Sequence, residues 1–96
     1  MFRHAVLFEI KPQEVKKYHK DNRMWARNAK KCPGFISYST VKRLGRKNQY
    51  VSVYQWKTKS GHDRFMKELH EWLVAQSKAR VKVLDYYNLK TIVTVK

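Results

Sequence analysis

Several segments of this chain alternate like β-strands yet carry apolar side chains on both faces. Residues 3–11 place His4, Val6, Phe8 and Ile10 on one side and Ala5, Leu7 and Glu9 on the other. Residues 49–57 set Val51 and Val53 against Tyr50, Tyr54 and Trp56, a segment rich in strand formers. An antiparallel sheet with one wet face shows polar residues on that face. Both faces of this sheet therefore need a cover.

The remaining elements follow from period and punctuation. Pro12 suits the first turn of a helix, where its missing N–H costs nothing. Residues 13–31 then repeat Val15, Tyr18, Asn22, Trp25 and Ala29 at three- and four-residue spacing, a mostly apolar helical stripe. Cys32-Pro33-Gly34 ends that helix. Residues 35–44 and 49–57 read as two strands around the turn Gly45-Arg46-Lys47-Asn48. Ser60 and Asp63 resemble a capping box with Asp in place of Glu. Phe65, Leu69, Trp72, Leu73 and Gln76 form the inward stripe of a second helix. Residues 81–95 return to alternation, with Val81, Val83, Tyr87, Leu89, Val93 and Val95 on one face and Leu84, Tyr86 and Ile92 on the other.

The order βαββαβ predicts an α+β, ferredoxin-like fold: a four-stranded antiparallel sheet with two helices on one face. Two helices leave the other face bare, and the chain offers no third. A second copy's sheet is the simplest cover, and a ligand stacked on aromatic residues is the other. At 96 residues the chain makes one domain, 1–96, of a size that is marginally stable alone. The expected state is a homodimer.

Cys32 is the only cysteine, so no intrachain disulfide forms. The N-terminal apolar run is short and contains Glu9, which fits a strand rather than a targeting segment. No stretch approaches the ~20 apolar residues of a membrane span. A cytoplasmic protein without membrane contact is expected. The net charge of +15 favours anionic partners. Lys16, Lys20, Arg23, Arg27 and Lys30 line one side of the first helix, about 100° round from the Val15 stripe. Lys42, Arg43, Arg46 and Lys47 add a basic hairpin. Such a stripe suits an anionic ligand or nucleic acid, and an ordinary solvated helix face looks the same.

The four His, one Cys and seven carboxylates show no metal-ligand spacing, and no Gly-rich phosphate loop exists. His4, His62 and His70 are the bases available near neutral pH, with Glu9 a further one. Tyr38, Tyr54, Tyr86 and Tyr87 put phenols on the sheet. RNA-recognition domains share the element order and stack bases on strand aromatics. Phe8, Tyr50, Tyr54 and Trp56 mimic that loosely, but residues 48–54 lack the basic-Gly-aromatic opening such strands use.

Three short motifs carry a family resemblance. The first strand ends in Lys11-Pro12. The first helix closes with Cys32-Pro33-Gly34-Phe35. A strand ends Tyr54-Gln55-Trp56-Lys57 just before a helix containing Phe65. Over nearly its whole length the chain resembles the antibiotic biosynthesis monooxygenase family of dimeric α+β barrels. The resemblance implies two sheets paired into a barrel, with a pocket between the sheet and helices of each subunit. Some members oxidise phenols, quinols or polyketide aromatics without metal or flavin. Others bind and degrade heme. The heme-degrading branch uses an Asn on the first strand, a Trp early in the second helix and a His ten residues later. Here residues 1–21 contain no Asn, Phe65 stands at the Trp position, and Ala75 stands ten residues on. No His follows His70, so Trp72 does not restore that pattern.

The expected function is cofactor-independent oxidation of a small aromatic, phenol or quinol. Trp25, Trp56, Phe65 and Trp72 would shape the substrate cavity, with Trp25 and Trp72 facing the sheet. Tyr54 or Tyr86 would donate a hydrogen bond to the substrate oxygen, and His70 would be the base. Two alternatives stand beside it: a heme-binding or heme-degrading monooxygenase whose basic residues hold the propionates, and a nucleic-acid-binding module using the Lys16–Lys30 stripe.

Overall fold

The computed structural model describes every residue from Met1 to Lys96. Its elements are β1 (Phe2–Glu9), α1 (Val15–Lys30), β2 (Phe35–Lys42), β3 (Gln49–Trp56), α2 (Lys59–Gln76) and β4 (Lys82–Lys90). A 3-10 turn at Pro12–Glu14 leads into α1. The strands form one antiparallel sheet in the order β2-β3-β1-β4, the ferredoxin-like arrangement. Neither helix is long and apolar enough to cross a membrane.

Gly45 at φ 82° and Asn48 at φ 60° make the β2–β3 turn, where left-handed backbone favours these residue types. The cap of α2 is Thr58, not Ser60. Thr58 is extended and its hydroxyl accepts from the Gly61 N–H at 3.4 Å. Strand β3 ends at Trp56, so the cap must follow at once. Ser60 falls inside the helix, and Asp63 pairs with Lys59 at 2.9 Å instead.

The helices bury the face holding Phe2, Tyr54 and Trp56. Trp56, Ala29 and Leu73 are fully buried and Phe65 nearly so. Trp72 does not face the sheet: it is 51% exposed, and Gln76 is exposed as well. Leu73 takes the inward position, one residue and about 100° away, in register with Phe65 and Leu69.

β4 stops at Lys90 rather than running to residue 95. Lys90 pairs with Phe2 and the Thr91 N–H donates to the Met1 carbonyl, so β1 has no further partner to offer. A register shift opposite Leu7 and Phe8 makes Leu84 an extra residue in β4. Val83 pairs with Phe8 and Tyr86 with Val6, which puts both on the helix side. Strict alternation had set them on opposite faces, and a bulge of this kind reverses it.

Residues 77–80, which lead into β4, are tied to α1 by side chains. The Asp21 carboxylate accepts from the N–H groups of Lys78 at 3.0 Å and Ala79 at 2.8 Å. Glu14 accepts from the Arg80 N–H at 2.8 Å, which holds its carboxyl below the usual range. Trp25 Nε1 donates to Ser77 Oγ at 2.9 Å.

The other sheet face carries Ala5, Leu7, Val41, Val51, Val53, Tyr87 and Leu89, as the register requires. No helix covers it. Val41, Tyr87 and Leu89 are 44–49% exposed.

A candidate active site between the helices and the sheet

Side chains on the helix-facing side of the sheet form rows across the strands. Tyr38, Tyr54, His4 and Asn88 are consecutive cross-strand partners. Thr40, Ser52, Val6 and Tyr86 make the next row. Directly paired residues hold their Cβ atoms about 4.5–5.5 Å apart. Each row therefore acts as one surface.

The helices close over these rows incompletely. α1 packs on β2, and α2 packs on β1 and β3. Every residue of β4 stays exposed. Between sheet and helices lies a cavity of about 480 Å³, within the usual range for small-molecule sites. Tyr18, Asn22 and Trp25 line it from α1, and Met66, His70 and Val74 from α2. That i, i+4, i+8 spacing gives α2 a second inward edge beside its core stripe. Eleven of the sixteen lining residues are hydrophobic, and none is lysine or arginine.

One wall is a chain of hydroxyls. Tyr18 Oη and Ser52 Oγ are 2.6 Å apart, and the Tyr38 hydroxyl donates to Ser52 Oγ at 2.9 Å. Thr40 Oγ1 donates to the Tyr38 oxygen at 3.2 Å and accepts from Asn22 Nδ2 at 2.9 Å. The Tyr54 hydroxyl, in the same cavity, takes part in none of these bonds. Burial raises the Tyr18 phenol, pushes Tyr38 up to about 12 and takes Tyr54 well above the ordinary value. All three stay protonated at neutral pH and serve as hydrogen-bond donors.

The other wall is imidazole. His4 is buried and its Nδ1 lies 2.7 Å from Asn88 Oδ1. That partner is an acceptor, so Nδ1 carries the proton and Nε2 keeps a lone pair. His62 stacks behind His4 with ring centroids 4.3 Å apart and does not line the cavity. Its buried Nδ1 has no hydrogen-bond partner. Burial, then the neighbouring His4, lower His62 to about 4. The unfolded chain therefore binds this proton first as pH falls, and stability drops between about pH 6.5 and 4. His62→Phe is expected to flatten that part of a melting-temperature profile, as measured by calorimetry.

The structure places the expected site residues unevenly. Trp25, Tyr54, Tyr86 and His70 line the cavity. Tyr86, 63% exposed, sits at its rim. His70 is exposed, with its ring 5.9 Å from Trp25. Trp56 and Phe65 stand one layer behind, packed on each other at 5.4 Å and absent from the lining. Trp72 lies on the outer side of α2. Sequence reasoning missed Ser52 and Asn88. The only signal for Ser52 was a lone small hydroxyl between Val51 and Val53, and nothing local marked Asn88. No group of three or more His, Cys, Asp or Glu side chains is placed to hold a metal ion.

By sequence, neither a family model nor a curated protein matches the chain. Solved structures do. SnoaB, a cofactor-independent oxygenase from Streptomyces nogalater, aligns with TM-score 0.81 over 98% of this chain and 95% of its own, at 13% identity. An antibiotic biosynthesis monooxygenase candidate from Deinococcus radiodurans gives 0.81 over 100% and 97%, at 9% identity. The chain has the fold of the antibiotic biosynthesis monooxygenases. MhuD, solved with two manganese protoporphyrin IX molecules per active site, also shares it, at TM-score 0.79 over 100% and 99% and 12% identity. These fold-mates differ in chemistry, so the reaction must be argued from the site.

Proposed function

We propose that this protein oxidises a small phenol or quinol with molecular oxygen, without metal or flavin, in the cavity under α1 and α2. The observation that carries the reading is the pairing of His4 with Tyr54 on adjacent strands. A phenolic oxygen above that pair meets a base and a donor together. His4 Nε2 takes the proton, with Asn88 fixing the tautomer. Tyr54, free of protein partners and held protonated by burial, donates to the resulting oxyanion. The ring anion then passes an electron to oxygen, the two radicals combine at a ring C–H carbon as a peroxide anion, and the His4 imidazolium returns its proton to give the hydroperoxide. Loss of water leaves the carbonyl. Trp25 and the apolar walls hold the flat ring. His70, the base suggested by sequence, is exposed at the mouth and has no hydrogen-bond partner to fix its tautomer. His4 is the better base on both counts.

Heme suits these residues less well. No cation lines the cavity to meet propionates, and the buried imidazole is already engaged by Asn88 and His62. Side-by-side titrations test the choice. A hydroquinone should bind saturably at one site per protomer, and Tyr54→Phe should weaken it by about 1 kcal/mol, one hydrogen bond. Saturable hemin binding with a shifted Soret band, and none by the hydroquinone, would reverse the assignment.

The reading includes a homodimer formed through the open sheet face. The exposed apolar side chains of Val41, Tyr87 and Leu89, beside the half-buried Leu7, Val51 and Val53 on the same face, support it, since a contiguous apolar patch of this kind marks an interaction site. Light scattering should give twice the chain mass, and Val53→Asp should give a monomer. A wild-type monomer would remove this part of the proposal.

A further inference from the structure

Lys16, Lys20, Arg23, Arg27 and Lys30 all lie on the exposed side of α1. None of them is in a salt bridge: the three ion pairs of the molecule use Lys17, Lys59 and Arg64. The five cations therefore face water without local neutralisation. From Lys16 to Lys30 the helix rises about 21 Å at 1.5 Å per residue. Lys42, at the end of β2, is a further exposed cation near the first turn of α1. It pairs with Tyr50, whose ring packs on Tyr18 at 5.9 Å. Beside the row, between α1 and β2, runs a polar groove that includes His19 and Arg23.

We propose that this outer face of α1 is a binding track for a nucleic-acid phosphate backbone. A strand with one phosphate per ~3.4 Å of axis presents about six phosphates over that length. The partner must be a polyanion, because the cations form a line rather than a pocket. It is not a bilayer by this geometry. A membrane-bound amphipathic helix inserts an apolar face, but the apolar stripe of α1 is spent on the sheet and no large apolar residue of α1 is exposed. No Phe, Tyr or Trp of α1 is exposed either: Tyr18 is buried and Trp25 half-buried. The contacts reach phosphates rather than bases, so binding is insensitive to sequence. None of the five residues except Arg23 borders either pocket, and Arg23 borders only the outer groove. The main cavity thus stays open when the track is filled.

Fluorescence anisotropy of the full chain with labelled oligothymidylate of about 20 nucleotides tests this. Five phosphate contacts on a single strand give a log–log salt slope of about −3.5, a loss of about 100-fold between about 50 and 200 mM salt. The double variant Lys20→Glu, Arg27→Glu should lose at least about ten-fold in affinity. Lys57→Glu with Lys67→Glu, of equal net charge and on exposed positions elsewhere, should lose less than about threefold. Circular dichroism confirms that each variant is folded. Equal losses in the two variants would assign binding to net charge and overturn the track. So would binding to phosphatidylserine vesicles with no binding to the oligonucleotide.

Discussion

His4→Gln is expected to lower kcat/KM for quinol oxidation by about 10²–10⁴, the range for a lost general base. Glutamine retains a donor for Asn88 and fills similar space, but accepts no proton at neutral pH. His70→Ala, by contrast, should cost less than about ten-fold, because that imidazole has no hydrogen-bond partner and stands exposed at the mouth. The order of these two losses separates the readings. Asn88→Ala gives a second readout, because Asn88 would act only through His4. It should lower kcat and alter the pH–rate profile while leaving KM nearly unchanged. A purely structural role for Asn88 would move melting temperature and not the profile.

Trp56→Ala is expected to destabilise the fold by about 3–5 kcal/mol. Domains of this kind hold only about 5–15 kcal/mol in total. Trp56 has no exposed surface and meets the rings of Phe35 at 5.5 Å, Phe65 at 5.4 Å and His62 at 6.1 Å. The first turn of α2 also rests on it. A Cβ added at Gly61 would lie 3.3 Å from Trp56 Cε3, so glycine there permits the close approach. Removing the indole leaves a void beneath the layer that carries Tyr54. Chemical denaturation should show the loss, and Trp56→Phe should recover part of it. The Trp56 indole N–H has no hydrogen-bond partner, so the loss is one of packing. A loss under about 1 kcal/mol would mean that the core closes without this ring.

What the sequence disclosed was local and periodic. Two-faced alternation around Leu7 and Val53 anticipated both the sheet and its bare face. The three- and four-residue spacing of Tyr18, Asn22 and Ala29 marked the buried side of α1. The misses involve partners far along the chain. The extra residue at Leu84 arises only when β4 is laid against β1, and it turns Val83 and Tyr86 to the same side. Trp72 and Leu73 are neighbours about 100° apart on α2, and the helix phase that buries Phe65 and Leu69 brings Leu73 inward and turns Trp72 out. The His4–Asn88 bond joins residues 84 positions apart, so no spacing rule reaches it. The hydroxyl chain draws on α1, β2 and β3 together. Its members look like unremarkable polar residues until the sheet register aligns them.

Oxygen consumption by heme-free, chelator-treated protein with a panel of phenols and quinols is the direct test of the proposed chemistry. The account predicts saturable uptake with at least one member of the panel, one oxygen atom appearing in the product from labelled oxygen gas, and loss of both in His4→Gln. Uptake that His4→Gln leaves intact, or none across the panel at concentrations that fill the cavity, would contradict it.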